Sequence, residues 1–427
     1  MTTLDPVRVE QDERRAGIQR RAVPVLAAAQ MLGGVGVASG LAVGALLAEQ
    51  VSASTSSAGL ATTLTVLGAA VLALPMARLA DRRGRRVALS AGYAFGAAGA
   101  AVVVLAGRTG QFWLLLAGMA LFGGGTASGL QARYAATDAA GPDRLGRDLS
   151  VVVWATTVGA VAGPNLSQAG KRLGEAIGLP GLTGPFLFSL LAFGAAAAVV
   201  LVALRPDPLL VTRALRPQDD GRSPQHRPGP VAALRIAAGH PQALLGLVTI
   251  GSAHAVMVGV MVMSPVHLAH GGATLTVVGV VISAHIAGMY AASPVLGLIS
   301  DRSGRPAGIA VGVGLFTAAL LLAGTSAPGS QVRLGLALTL LGLGWSACLI
   351  SGSALLTESV PLSARTSVQG LSDLVMGMAG ATAGAVSGPL MAASGYPALS
   401  VAAGVLLVPI VVLGLARALR SRGRVPR

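Results

Sequence analysis

The chain has 427 residues, of which 53% are hydrophobic, only 11% are charged and 59 are glycine. Apolar runs of about 20 residues recur along it, the length needed to cross a bilayer core of about 30 Å, so composition excludes an ordinary soluble domain. The formal net charge of +15 comes from short arginine clusters between those runs, which makes it a topology signal and not a nucleic-acid footprint.

The first 21 residues are polar and charged, and the apolar run that follows is long enough to stay in the membrane, so no cleavable signal peptide is expected. Twelve apolar spans follow, at 23–48, 58–80, 87–106, 112–136, 149–169, 184–204, 242–266, 274–299, 307–324, 332–357, 368–392 and 398–417. None alternates apolar and polar residues as a barrel strand would. The fold class expected is therefore an all-α polytopic membrane protein with two six-helix bundles. The divisions are a tail at 1–22, a first bundle at 23–204, a linker at 205–240, a second bundle at 241–417 and a tail at 418–427. Arginines crowd the amino tail, the second loop (Arg78, Arg82, Arg83, Arg85, Arg86), the linker and the carboxyl tail, whereas the alternate loops carry few. Positive charge stays inside, so both termini are expected in the cytoplasm, in the cell (plasma or inner) membrane. The one cysteine, Cys348, lies in an apolar run and excludes an internal disulfide or a CxxC metal site.

The two halves repeat. LADRRGRR places Asp81, Arg82, Gly84 and Arg85 after the second span, and ISDRSGR places Asp301, Arg302, Gly304 and Arg305 after the eighth, 220 positions later. Asp138 and Glu358 share that offset. Such duplication marks a transporter built from two bundles. The D-R-x-G-R loop and its repeat resemble the signature loop of the major facilitator superfamily across residues 23–417. Ala77 replaces the glycine the family favours four residues before the first aspartate, while Gly297 keeps it. The resemblance implies a secondary transporter working by alternating access, whose cytoplasmic loops form a breakable charge network. Asp138 with Arg144 or Arg147, and Glu358 with Arg365, supply partners for it. The alternative is that these arginines only fix topology.

Glycines at 36, 40 and 44, at 159 and 163, and at 380, 384 and 388 are spaced for close helix packing. Gly159-x-x-x-Gly163-Pro164 also resembles part of a fifth-helix motif of proton-coupled drug exporters. Leu166 and Ser167 stand where further glycines are expected, and Gly384–Pro389 repeats the pattern, so a bundle hinge is the better reading.

The seventh span reads HAVMVGVMVMSPVH. Met257 and Met261 lie one turn apart on a helical face shared by His254, while Met263 points elsewhere. In the eighth span His285 and Met289 are spaced in the same way. Counted at about 1.5 Å per residue, these donors fall near mid-membrane and suit a ladder between two antiparallel helices. Methionine is also a common packing residue, but thioether with imidazole and no carboxylate selects a soft monovalent ion such as Cu(I). His267 and His270 could collect copper at the outer mouth or be plain loop histidines. MxxxM followed by HxxxM resembles the CcoA-like copper importers, which implies copper handling by Met257, Met261, His285 and Met289 and a cytoplasmic copper acceptor as partner; His254, on the face of Met257, is a further candidate rung by its position. Relatives without these motifs resemble riboflavin importers, so the family leaves the substrate open.

No nucleophile–base pair or cofactor loop stands out, so neither an enzyme nor a bound cofactor is expected, copper being the cargo. The expected partners are the copper ion and the lipid bilayer, not nucleic acid, and the chain is read as a monomer. Arg133 and Asp373 are ionisable residues within spans and candidates for coupling. A monovalent cation entering the cell needs no proton, because the membrane potential supplies about 2.3 kcal/mol per charge per 100 mV, so potential-driven uptake is the preferred reading. Two competitors stand beside copper import: a transporter of a small organic molecule (a riboflavin-like importer or drug/proton antiporter) and a copper-binding sensor that moves nothing.

Overall fold

The structure is a computed structural model that describes residues 6–140, 145–214, 229–327, 329–361 and 364–422. Among them there is no strand. Fifteen α-helices follow in chain order: α1 (Pro6–Ser52), α2 (Ala58–Thr109), α3 (Phe112–Ala135), α4 (Leu145–Asn165), α5 (Ser167–Ala176), α6 (Gly184–Ala203), α7 (Pro208–Ala214), α8 (Pro230–Gly239), α9 (Pro241–His270), α10 (Leu275–Tyr290), α11 (Ser293–Ser303), α12 (Arg305–Gly324), α13 (Gln331–Glu358), α14 (Arg365–Val405) and α15 (Val408–Arg422). Ten helical stretches of the described residues are long and apolar enough to cross a membrane. One of them, Ser367–Arg417, has 51 residues and contains both the eleventh and twelfth expected spans, while α4 supplies the fifth. Every expected span therefore has its helix.

Sequence dictates where the helices break. α2 bends at Gly84 (φ 87°), and Gly304 (φ 88°) separates α11 from α12 at the equivalent point of the repeat. Backbone in this left-handed region costs a side chain but not glycine, which is why each D-R-x-G-R loop carries one. Gly395 (φ 76°) breaks α14 in the same manner, two residues before Pro397. The eighth span breaks between Tyr290 and Ser293, where Pro294 opens α11 at a position needing no N–H donor.

The chain forms two compact units. The first comprises Met1–Ser52 and Leu64–Arg222, the second Ala53–Thr63 and Ser223–Arg427. In the first, α1 packs against α4 and α6. In the second, α9 packs against α14 and α13, α12 against α13, and α10 against α13. Within 205–240, read from sequence as a linker, the structure places α7 and α8, each opened by a proline. Residues 215–228 between them lie outside the described residues.

Candidate functional site

The methionine–histidine stripe is largely inside the second unit. Met257 and Met289 are buried, His285 is 0% exposed, and Met261 is partly buried. Met263 is also fully buried. The ladder expected between adjacent helices is less direct, because α10 leans on α13 and touches α9 only sparsely. His285 Nδ1 lies 2.7 Å from the Leu338 carbonyl on α13. A carbonyl can only accept, so Nδ1 carries the proton and Nε2 presents a lone pair, which has no hydrogen-bond partner.

His254 has a different environment. Trp345 on α13 donates its indole N–H to His254 Nδ1 at 3.1 Å. Indole is a donor only, so this nitrogen spends its lone pair on the tryptophan, and a neutral ring holds its proton on Nε2. Neither nitrogen is then free as a metal donor, which sets His254 apart from the other four residues of the stripe. Its ring centroid lies 6.2 Å from that of Trp345, and Tyr290 meets Trp345 edge-on at 6.0 Å. The three rings share one height: Trp345 stands midway along the 28-residue α13, His254 midway along the 30-residue α9, and Tyr290 at the break in the span Leu275–Ser303. With aromatics at only 3% of the chain, no sequence signal singled out this cluster.

A second missed centre lies in the first unit. Gln30 on α1, 2% exposed, donates to the Gly129 carbonyl at 3.0 Å and to Thr156 Oγ1 at 3.1 Å, and accepts from Tyr93 Oη at 3.1 Å. It ties α1 to α2, α3 and α4 with its polar groups satisfied, a structural hub.

At the loop end of each unit the charged residues assemble into matching pairs. Arg85 Nε reaches Asp138 Oδ2 at 2.8 Å, and Arg85 Nη1 donates to Gln131 Oε1 at 2.9 Å. Arg305 Nη2 reaches Glu358 Oε1 at 2.8 Å and also pairs with Asp301. Asp138 was expected to meet Arg144 or Arg147, and Glu358 to meet Arg365. Glu358 is instead taken by Arg305, because the turn at Gly304 aims that arginine along α12 toward the end of α13. Arg144 and the side chain of Arg147 lie outside the described residues, and Arg85 holds Asp138.

Asp81 pairs with Arg213 of α7 at 2.6 Å, a partner from the linker that no pattern had suggested. Asp207 completes the contact: Oδ2 accepts from the Arg86 amide at 2.8 Å, and Oδ1 caps α7 at Leu209 and Leu210. Arg82, Arg302, Arg133 and Asp373 are exposed.

Residues 25–272 and 245–427 match the description Major Facilitator Superfamily. The chain belongs to the major facilitator superfamily. It is 39% identical over 97% of its length to an uncharacterized MFS-type transporter, YdeG, of Bacillus subtilis strain 168, covering 95% of that protein. It is also 30% identical to the riboflavin transporter RfnT of Brucella anthropi, covering 93% of this chain and 94% of that one. A bacterial homologue of the human lysosomal transporter Spinster superposes with a TM-score of 0.65 at 17% identity, over 93% of this chain and 95% of its own. The nucleoside transporter NupG gives 0.63 at 15%, over 92% and 98%. The superfamily and these neighbours are transporters and not enzymes, so the chain is a secondary transporter of the membrane.

Proposed function

We propose that this major facilitator protein carries a small organic solute with a planar heteroaromatic ring across the cell membrane by alternating access, with both termini in the cytoplasm. The observation that carries the reading is the Trp345–His254–Tyr290 cluster beside the broken eighth span. Transporters of this architecture bind cargo near mid-membrane. Aromatic faces supply stacking, and His254 Nε2–H supplies a directional donor within it. The likeness to a riboflavin transporter over nearly the whole chain supports the same class. The cytoplasmic placement of the loop pairs rests on the arginine distribution.

Uptake of radiolabelled riboflavin by cells that lack their own importer tests the reading, with unlabelled planar heterocycles as competitors. Accumulation should require Trp345 and be reduced by competitors sharing its flat ring. No accumulation of the flavin, and none of any competitor when labelled in turn, would end it.

One observation favours a second reading, copper import. His285 Nε2 is a buried lone pair without a donor, one helical turn from Met289, and a thioether–imidazole pair suits Cu(I). Radioactive copper uptake with Met257→Ala, Met261→Ala, His285→Ala and Met289→Ala tests it. Equal accumulation in every variant removes copper and leaves the organic cargo.

A further inference from the structure

With its 10 residues α8 is about 15 Å long, too short to cross a membrane, yet most of its side chains are apolar. Its two faces have different fates. Ala233 and Ala237, both 0% exposed, pack in one cluster with Ala243 and Leu247 of α9 and with Ala364 and Val368 around the start of α14. Val231 (65% exposed), Leu234 (46%), Arg235 and Ala238 fall on the opposite face at positions i, i+3, i+4 and i+7. His240 ends the helix, its Nδ1 donating to the Ile236 carbonyl at 2.8 Å, and the next residue opens the membrane span α9. A short helix at the foot of a span, with an apolar stripe that carries a cation, suits the plane of the lipid headgroups.

Arg365 opens α14 beside this helix, directly after the Ala364 that packs with the α8 alanines. Its charge is misplaced for its own helix, because the first turn carries the positive end of the dipole. No acidic residue stands in that turn to offset it, and Ala364 has no side chain to cap it. Glu358, the acid expected to meet Arg365, is held by Arg305. Among the described residues the buried Nε of Arg365 has no hydrogen-bond partner. Buried polar groups are rarely left so, and an anion would answer both the orphaned donor and the unfavourable end of the helix.

We propose that the junction of α8 with α14 binds an anionic phospholipid from the leaflet at the Asp301–Arg305 end of the second unit, which the arginine distribution makes the cytoplasmic one. Arg365 pairs with the headgroup phosphate, and Arg235 adds positive charge at the same surface. Val231 and Leu234 lie against the upper part of the acyl chains. Free phosphate would answer to the arginines alone, whereas the apolar stripe beside them selects a lipid. The bound lipid ties α8 to the feet of α9 and α14. The site is independent of the cargo that the transporter carries.

The test is native mass spectrometry of the purified, delipidated full chain in detergent, titrated with dioleoylphosphatidylglycerol or with zwitterionic dioleoylphosphatidylcholine. Wild type should retain phosphatidylglycerol at one tight site per chain and release phosphatidylcholine. Arg365→Gln should lose that site. Arg235→Gln should weaken retention about fivefold, the scale of one arginine at an anionic membrane surface. Leu234→Asp, which removes the apolar contact and repels the headgroup, should lose the site as well. Leu234 and Arg235 are exposed, so these two variants decide the matter if Arg365→Gln does not fold. Equal retention of the two lipids, or retention of phosphatidylglycerol unchanged in every variant that folds, overturns the site. Displacement of the lipid by excess inorganic phosphate overturns it in favour of a free anion. Dimers that retain no lipid and come apart in Leu234→Asp overturn it in favour of a second copy of the chain.

Discussion

Arg85 grips Asp138 by two bonds, Nε to Oδ2 at 2.8 Å and Nη2 to Oδ1 at 3.3 Å, across 53 positions of sequence. Arg305 and Glu358 are separated by the same 53 positions, but there Nε at 3.1 Å and Nη2 at 2.8 Å converge on the single oxygen Oε1. The copies differ in burial: the side chains of the first pair are 14% and 12% exposed, those of the second 24% and 54%. Truncating one partner of a shielded pair strands the other charge, at a cost of about 3–5 kcal/mol when burial is complete, whereas exposed pairs contribute about 0–1 kcal/mol. Asp138→Ala should therefore destabilise the protein in detergent by about 2 kcal/mol after allowing for partial exposure, read as a clear fall in the thermal midpoint. Glu358→Ala should change it little, and equal shifts would refute the ranking.

The linker contact makes a separate prediction. Asp207 caps α7 and holds the Arg86 amide, while Arg213 holds Asp81. Losing such a cap costs about 1 kcal/mol. Asp207→Ala should speed amide hydrogen exchange across 208–214 and at Arg86, with exchange in α4 and α6 unchanged. Faster exchange throughout the first unit would mean that α7 is part of its core and not a clasp on its surface.

Trp345→Phe keeps a ring and removes the indole donor, leaving His254 Nδ1 unpaired. A lost neutral hydrogen bond of this kind is worth about 1 kcal/mol, which corresponds to about fivefold in apparent affinity for the cargo. Trp345→Ala should cost more, since stacking goes as well. Transport kinetics for the two variants measure the split, and identical values would show that the ring contributes nothing.

Close-packed glycines give a paired prediction. A Cβ at Gly163 would stand 2.8 Å from the Ala38 Cβ and 2.9 Å from the Ser39 amide, whereas at Gly194 it would meet nothing within 4 Å. Gly163→Ala should destabilise the first unit by about 1–3 kcal/mol through overpacking. Gly194→Ala should stabilise by about 0.5–1 kcal/mol by favouring helix. Thermal melts of the two variants settle the sign of each.

Much of this architecture is legible in the residues. The spans follow from apolar length, the breaks at Gly84 and Gly304 from duplicated D-R-x-G-R loops, and the packing role of Gly163 from its spacing. What the sequence hides is lateral arrangement. His254 lies on the face of α9 shared with Met257, and spacing alone groups them. Its actual partner, Trp345, is 91 positions away on a helix that no local pattern links to it. Arg213 was equally hidden, because a short helix in a charged, proline-rich stretch has no apolar period to reveal it. Gln30 reads as a stray polar residue in an apolar run until three helices converge on it. Helical periodicity says which residues share a face, while packing decides what that face meets.

The eleven residues Ala53–Thr63 belong to the second unit although they precede most of the first in sequence. Thr63 donates to the Ala381 carbonyl at 3.1 Å, and a Cβ at Gly388 would crowd the Ser56 backbone. Cutting the chain within 215–228 would therefore not yield two self-sufficient halves. The carboxyl fragment would lack a strip of its own wall, which only the amino fragment can return. Synthesised separately, the fragments should be recovered together or the second one lost to proteolysis, and during translation the second unit has its first piece waiting before any of its own helices emerge.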